Sequence, residues 1–174
     1  MGIEAVRSST PTACRENIKK SLEIIMTSTE QDLQNFIFEF KTQFRNLSFE
    51  DIAFTRGITD MEKWWNGWEF KSGTPIHIRG CVTYNNMLSK LKLTNKYETI
   101  GSGEKIKFVY LKKPNPTREH VIACPNGMPK ELNLESYIDY DMQFEKGFLS
   151  PIESIIKTLG WKAEKQATLE DWFN

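Results

Sequence analysis

Apolar residues recur at three- and four-residue intervals twice within the first fifty positions of this 174-residue chain. Ile18, Leu22, Ile25 and Met26 mark one helix. Leu33, Phe36, Ile37, Phe40, Phe44 and Leu47 mark a second, whose aromatic stripe must meet another helix and carries no cofactor signal. Ser8-Ser9-Thr10-Pro11 predicts the start of the first helix, a hydroxyl cap followed by proline where its missing N–H costs nothing. Thr29, with Asp32 in the first turn, starts the second. From about 48 to 75 the periodicity breaks around Trp64-Trp65-Asn66-Gly67-Trp68. These rings serve either as stacking platforms for bases or as a plug on the core, and aromatic clusters are more often core. Glu104 to Lys112 then alternates, with Ile106, Phe108 and Tyr110 on one face and Lys105 and Lys107 on the other, the pattern of a half-exposed strand. His120 to Cys124 supplies a short partner strand after Pro114-Asn115-Pro116, closed by Pro125-Asn126-Gly127. Helical pattern resumes at Leu134, and Ile152, Ile155, Ile156 and Leu159 form a last stripe between Pro151 and Gly160. The expected class is α+β: a mainly helical body over 1–50 and 130–160, a mixed, β-rich insert over 51–129, and a tail over 161–174.

Composition places the chain among ordinary globular proteins, with 39% hydrophobic and 26% charged residues. No segment reads as a signal peptide or a bilayer span, which predicts an intracellular location and no membrane partner. Three widely spaced cysteines predict free thiols in a reducing compartment. The net charge of zero conceals an uneven distribution. Residues 1–51 carry six Lys/Arg and eight Asp/Glu, residues 52–118 twelve and five, and residues 119–174 five and ten. The middle third is therefore +7 between acidic flanks, a phosphate-binding surface or a solvated lysine-rich face.

The last nine residues carry the sharpest motif. Gln166-x-x-Leu169-x-x-Trp172-Phe173 puts Leu169, Trp172 and Phe173 on one side of a single turn and leaves Glu170 and Asp171 facing water. That is the pattern of a sliding-clamp docking peptide, in which a few buried aromatic anchors carry the affinity. The alternative is a terminal turn folded back on its own core.

Two constellations suggest metals and are set aside. His77-x-x-x-Cys81 and His120-x-x-x-Cys124 lack the pairing of like ligands typical of zinc sites, and strands or loops at this spacing do not aim both side chains together. Asp139 and Asp141 share a face only on a strand, whereas their neighbours read as helix, so an acidic cluster at a helix start accounts for them better. No metal or catalytic set is assigned.

Taken together, the whole chain resembles the C-terminal thumb region of the family B replicative DNA polymerases of T4-like bacteriophages. The resemblance is carried by Gly2-Ile-Glu-Ala-Val-Arg7-Ser-Ser-Thr-Pro11, by Pro75-Ile-His77-Ile-Arg79-Gly80 and by Glu104-Lys-Ile-Lys through Leu111-Lys-x-x-Asn115-Pro116. It continues through Tyr137-Ile-Asp-Tyr-Asp-Met-Gln-Phe144-Glu-Lys146-x-Phe148 to Glu164-Lys165-x-Ala-Thr-Leu169-Glu-Asp-Trp-Phe173. It implies a mainly helical thumb with a small β-rich insert and a flexible clamp-binding tail. It implies that Arg7, Ser8, Ser9, His77, Arg79, Lys105, Lys107, Lys112 and Lys146 contact the backbone of a primer-template duplex, and that Gln166, Leu169, Trp172 and Phe173 dock on the sliding clamp. Phosphate contacts of this kind position a duplex without reading sequence. The polymerase's metal-binding aspartates belong to a palm that this sequence lacks. The chain is then expected to be inactive alone, with no cofactor of its own and Mg2+ only in the palm, and to need a palm-containing partner in the host cytoplasm. Without that partner, the helix faces around Phe36, Phe40 and Phe44 are expected to be partly uncovered. A free-standing clamp- or DNA-binding adaptor is the main alternative, and a metal-dependent nuclease using Asp139 and Asp141 a third.

Overall fold

The structure, a computed structural model, describes residues 4–165. Helix α1 (Thr12–Thr27) starts one residue later than its proline suggests. Pro11 itself occupies the capping position and accepts the first helical hydrogen bond, from Arg15 N at 3.0 Å. The expected hydroxyl cap is thus corrected. No side chain caps α1, and Thr10 N–H instead closes a turn on the Arg7 carbonyl at 3.1 Å. Helix α2 (Glu30–Phe44) begins as expected with a reciprocal capping box, in which Thr29 Oγ1 accepts from Asp32 N and Asp32 Oδ2 accepts from Thr29 N.

The aromatic stripe of α2 finds its partner within the chain. Phe40 lies 4.9 Å from Phe148 and Phe44 lies 5.3 Å from Phe144, ring centre to ring centre, both edge-on. Phe40 and Phe44 are 4% and 1% exposed, so the face expected to be uncovered is covered there and stays partly open only at half-buried Phe36, and the ring left in water is Phe38 on the other side of α2. Phe144 closes the short helix α6 (Tyr140–Phe144), which widens into a π-helical turn over Glu145–Leu149 and continues as α7 (Ser150–Thr158). Proline at 151 has no N–H to give the preceding turn, and the widened turn upstream accommodates it. Gly147 in that turn lies so close to α1 that a Cβ would sit 2.9 Å from Cys14 Sγ. The helix also starts later than Leu134. Glu135–Tyr137 is a 3-10 turn, Ile138 forms an antiparallel bridge with Leu111, and Asp139 caps α6 by accepting from Met142 N at 3.0 Å.

Between these helical parts lie α3 (Phe49–Ile52), strand β1 (Phe54–Gly57), α4 (Met61–Trp64), α5 (Ile76–Lys90), β2 (Lys105–Tyr110) and β3 (Val121–Cys124). The strands form an antiparallel sheet in the order β1-β2-β3, with Phe54 opposite Phe108 and Phe108 opposite Ala123. Two elements here escape the sequence pattern. Strand β1 is four residues long, too short to show a period. Helix α5 covers the stretch around His77 and Cys81 that reads as strand or loop, because it is buried on most sides and its polar stripe, Arg79, Thr83, Asn86 and Lys90, is narrow. Gly80 lets α5 lie against β3, since a Cβ there would meet Ala123 N at 2.9 Å.

Gln143, fully buried, ties the layers together: its Oε1 accepts from Tyr110 N at 2.9 Å and its Nε2 donates to the Ile52 carbonyl at 2.7 Å. At the far end Gly160, with φ +71°, closes α7, and Trp161 N donates to the Ile156 carbonyl at 3.0 Å. The chain then runs along α2, with Gln34 Nε2 donating to the Lys162 carbonyl at 3.0 Å. Gln166, Leu169, Trp172 and Phe173 lie outside the described residues. No described helix is long and apolar enough to cross a membrane.

Candidate nucleic-acid interface

Alternation along β1 and β2 puts Phe54, Arg56, Phe108 and Tyr110 on one face of the sheet. The Phe54 and Phe108 rings stack at 5.3 Å, and Phe108 meets Tyr110 edge-on at 6.1 Å, which makes an aromatic floor. Three elements bring polar groups to its margin. The first turn of α5 places the His77 ring 6.5 Å from Phe108. The π turn places Lys146 Nζ 5.5 Å from the centre of the Tyr110 ring. The segment before α1 attaches to β1 through Thr55 N, which donates to the Ser9 carbonyl at 3.2 Å, with exposed Arg7 and Ser8 just upstream. Ser9, Arg56 and Lys146 line one depression of about 320 Å³, with no carboxylate among its lining residues. The Arg56 charge reaches two neighbours. Burial and then Arg56 push the His77 imidazole below its ordinary value, whereas burial raises the Tyr110 phenol against a smaller opposing effect of Arg56.

Of the nine residues expected to touch DNA, this face gathers Ser9, His77 and Lys146 from segments far apart in the chain, with Arg7 and Ser8 just upstream of Ser9. Arg56, which no motif singled out, completes it; the signal missed was the strand that carries it. The other four lie elsewhere. Arg79 points away from His77 around α5, its guanidinium 4.4 Å from the Phe70 ring centre and 3.9 Å from Glu119. Lys105 is exposed at the start of β2. Lys107, on the opposite face of the strand, is ion-paired with Glu50. Lys112 borders a depression that also holds Asp139, Asp141, Glu145 and Glu164, with Lys41 paired to the last. The first depression has no carboxylate to oppose a phosphate, whereas the last carries four, two of them paired with Lys41 and Arg45.

Asp139 and Asp141 are spent on structure, the first as the α6 cap and the second on Arg45 at 3.0 Å. Among the described residues no three His, Cys, Asp or Glu side chains converge as a metal set. The three cysteines are buried free thiols, and burial raises Cys14 and Cys81 to about 12.

The fold is that of part of a family B DNA polymerase. It matches the solved family B DNA polymerase of the archaeon Pyrobaculum calidifontis with a TM-score of 0.55 and 15% identity, over 88% of this chain and 18% of that one. The chain is homologous throughout to the DNA-directed DNA polymerases of the phages T4 and RB69. It is 32% identical to the T4 enzyme over 99% of its length and 30% identical to the RB69 enzyme over 100%. It spans 19% of either relative and so corresponds to one region of the phage family B polymerases. No protein-family profile matches it.

Proposed function

We propose that the chain is the thumb module of a phage family B DNA polymerase, holding primer-template duplex by its backbone and tethering the enzyme to its sliding clamp through residues 166–174. The observation that carries the DNA half is the ring of Arg56, His77 and Lys146 around an aromatic floor, bordered by a depression that no carboxylate lines. Two cations, on a strand and a π turn, and an imidazole at a helix start are held by three different backbones, so their spacing is set before DNA arrives. Such a surface binds phosphates without reading bases, which suits an enzyme that must accept every sequence. The tethering half rests on the spacing of Leu169, Trp172 and Phe173.

Duplex affinity measured across a range of salt concentrations tests the first half. Arg56→Ala and Lys146→Ala should each lower the log–log salt slope by about one, as loss of one phosphate contact does. Lys112→Ala, in the carboxylate-rich depression, is the control and should leave the slope alone. Slopes unchanged by all three substitutions would exclude this face as the duplex site.

A further inference from the structure

The tryptophan cluster does not do what its composition suggests. Trp64 and Trp65 are half-buried, and Trp65 packs on Phe70 at 4.7 Å across an antiparallel bridge, but Trp68 between them is 91% exposed. The turn holding it is pinned. Asn66 Oδ1 accepts from both Trp68 N and Glu69 N, at 2.9 and 3.0 Å, and Gly67 takes φ +99°. A large apolar ring held out in water by a closed turn forgoes burial energy that a nearby surface would otherwise supply.

What the ring overlooks has a definite chemistry. Residues 79, 82, 83, 86, 87 and 90 form one stripe of α5, and with this turn and the loop before β3 they enclose a depression of about 540 Å³. Its floor is Val82 and Met87, and its rim carries Lys90 and Arg118, neither ion-paired among the described residues. Arg79 lies flat on Phe70 and engages Glu119; Glu69 is the other carboxylate on the rim. Exposed aromatic faces beside unpaired cations suit a strand whose bases are free to stack and whose phosphates follow the rim, and do not suit a closed duplex, whose bases are already stacked.

We propose that this depression is a second nucleic-acid site, distinct from the sheet face, which takes unpaired bases by stacking on Trp68 with phosphates on Lys90 and Arg118. The site extends the reading of the chain as a DNA-holding module, but its test is separable from that reading.

Binding of a labelled short oligothymidylate at low salt is measured for the whole chain and for Trp68→Ala and Trp68→Phe, with duplex binding measured on the same preparations. Trp68 touches little of the core, so the variants should keep the parent's thermal unfolding. Trp68→Ala should weaken oligothymidylate binding roughly ten-fold, Trp68→Phe should keep most of it, and duplex affinity should not change. Trp68-dependent oligothymidylate binding by a chain that ignores duplex would uphold this site and defeat the duplex reading. Three results overturn the proposal: no oligothymidylate binding by the parent, equal affinity for parent and Trp68→Ala, or equal losses in the Ala and Phe variants. A Trp68→Ala defect confined to association with a palm-bearing polypeptide overturns it too, and assigns the ring to a protein contact.

Discussion

His77 and Gly147 show how much can rest on one position. Burial and the Arg56 guanidinium both disfavour the imidazolium, so His77 of the free chain titrates below its ordinary 6.5. For a base whose folded value is lowered, the unfolded chain binds the proton more readily. This contribution to stability is complete above the unfolded value and is lost as pH falls from there through the folded value. A phosphate at this face reverses the preference, so duplex binding should take up a proton and tighten as pH falls. The chain has only two histidines, so proton NMR separates their titrations. Duplex should raise the His77 midpoint and leave that of His120, which burial and Lys113 also lower, where it was. A His77 midpoint indifferent to duplex would place the phosphates elsewhere. Gly147 is a packing residue. Gly147→Ala forces a methyl towards Cys14 Sγ and should cost about 1–3 kcal/mol in urea unfolding.

At the scale of elements, the sheet, α3 and α6 are joined by one polar side chain. Gln143→Met keeps the volume but leaves the Tyr110 N–H and the Ile52 carbonyl without their partner. An orphaned buried group costs about 1–3 kcal/mol, so the variant should lose several kcal/mol by equilibrium unfolding. A loss below about 0.5 kcal/mol would show that water or a shift of α3 satisfies both groups. Because Lys146 follows Gln143 by three residues, the same change should also weaken duplex binding, whereas Phe44→Ala, at the other end of the α6 contact, should act on stability alone. The elements legible in the sequence were those whose burial repeats. Helices α2 and α7 and strand β2 each show a face, whereas β3, buried at all four positions, is placed by the proline and glycine turns on either side of it. Helix α5 shows only a narrow polar stripe, since Tyr84, Cys81, Ile78 and Leu88 are all buried and it is enclosed on most sides.

For the whole molecule, the catalytic question turns on where carboxylates go. Nucleotidyl transfer needs two metal ions held by convergent carboxylates, and Asp139 and Asp141 are committed to a cap and an ion pair. The chain by itself should therefore give no primer extension. Mixed with a polypeptide carrying the palm, it should lengthen the products more than it speeds addition to a primer already bound, because holding DNA acts on dissociation. Extension by the isolated chain would overturn the thumb reading. Trp172→Ala together with Phe173→Ala should remove several kcal/mol of clamp binding and leave duplex binding intact, since buried aromatic anchors are commonly worth ~2 kcal/mol or more each.

The amino-acid sequence by itself determined the capping of α2, the aromatic stripe, the β2–β3 pair, the Gly160 stop and the kinship with phage polymerases, because each depends on residues close in the chain or on motifs read in order. The tertiary structure alone decided which basic residues share a surface. Lys105, Lys107 and Lys112 are neighbours in sequence, yet Lys107 is drawn to Glu50 and Lys112 to an acidic depression. Arg56, His77 and Lys146 are far apart in sequence and meet at one aromatic floor. Charge along a chain is additive, but the potential a phosphate feels depends on which side chains the fold aims together and which carboxylates it keeps away. Trp68 makes the same point for apolar groups: its composition suggested core, and a turn closed by one asparagine put it in water.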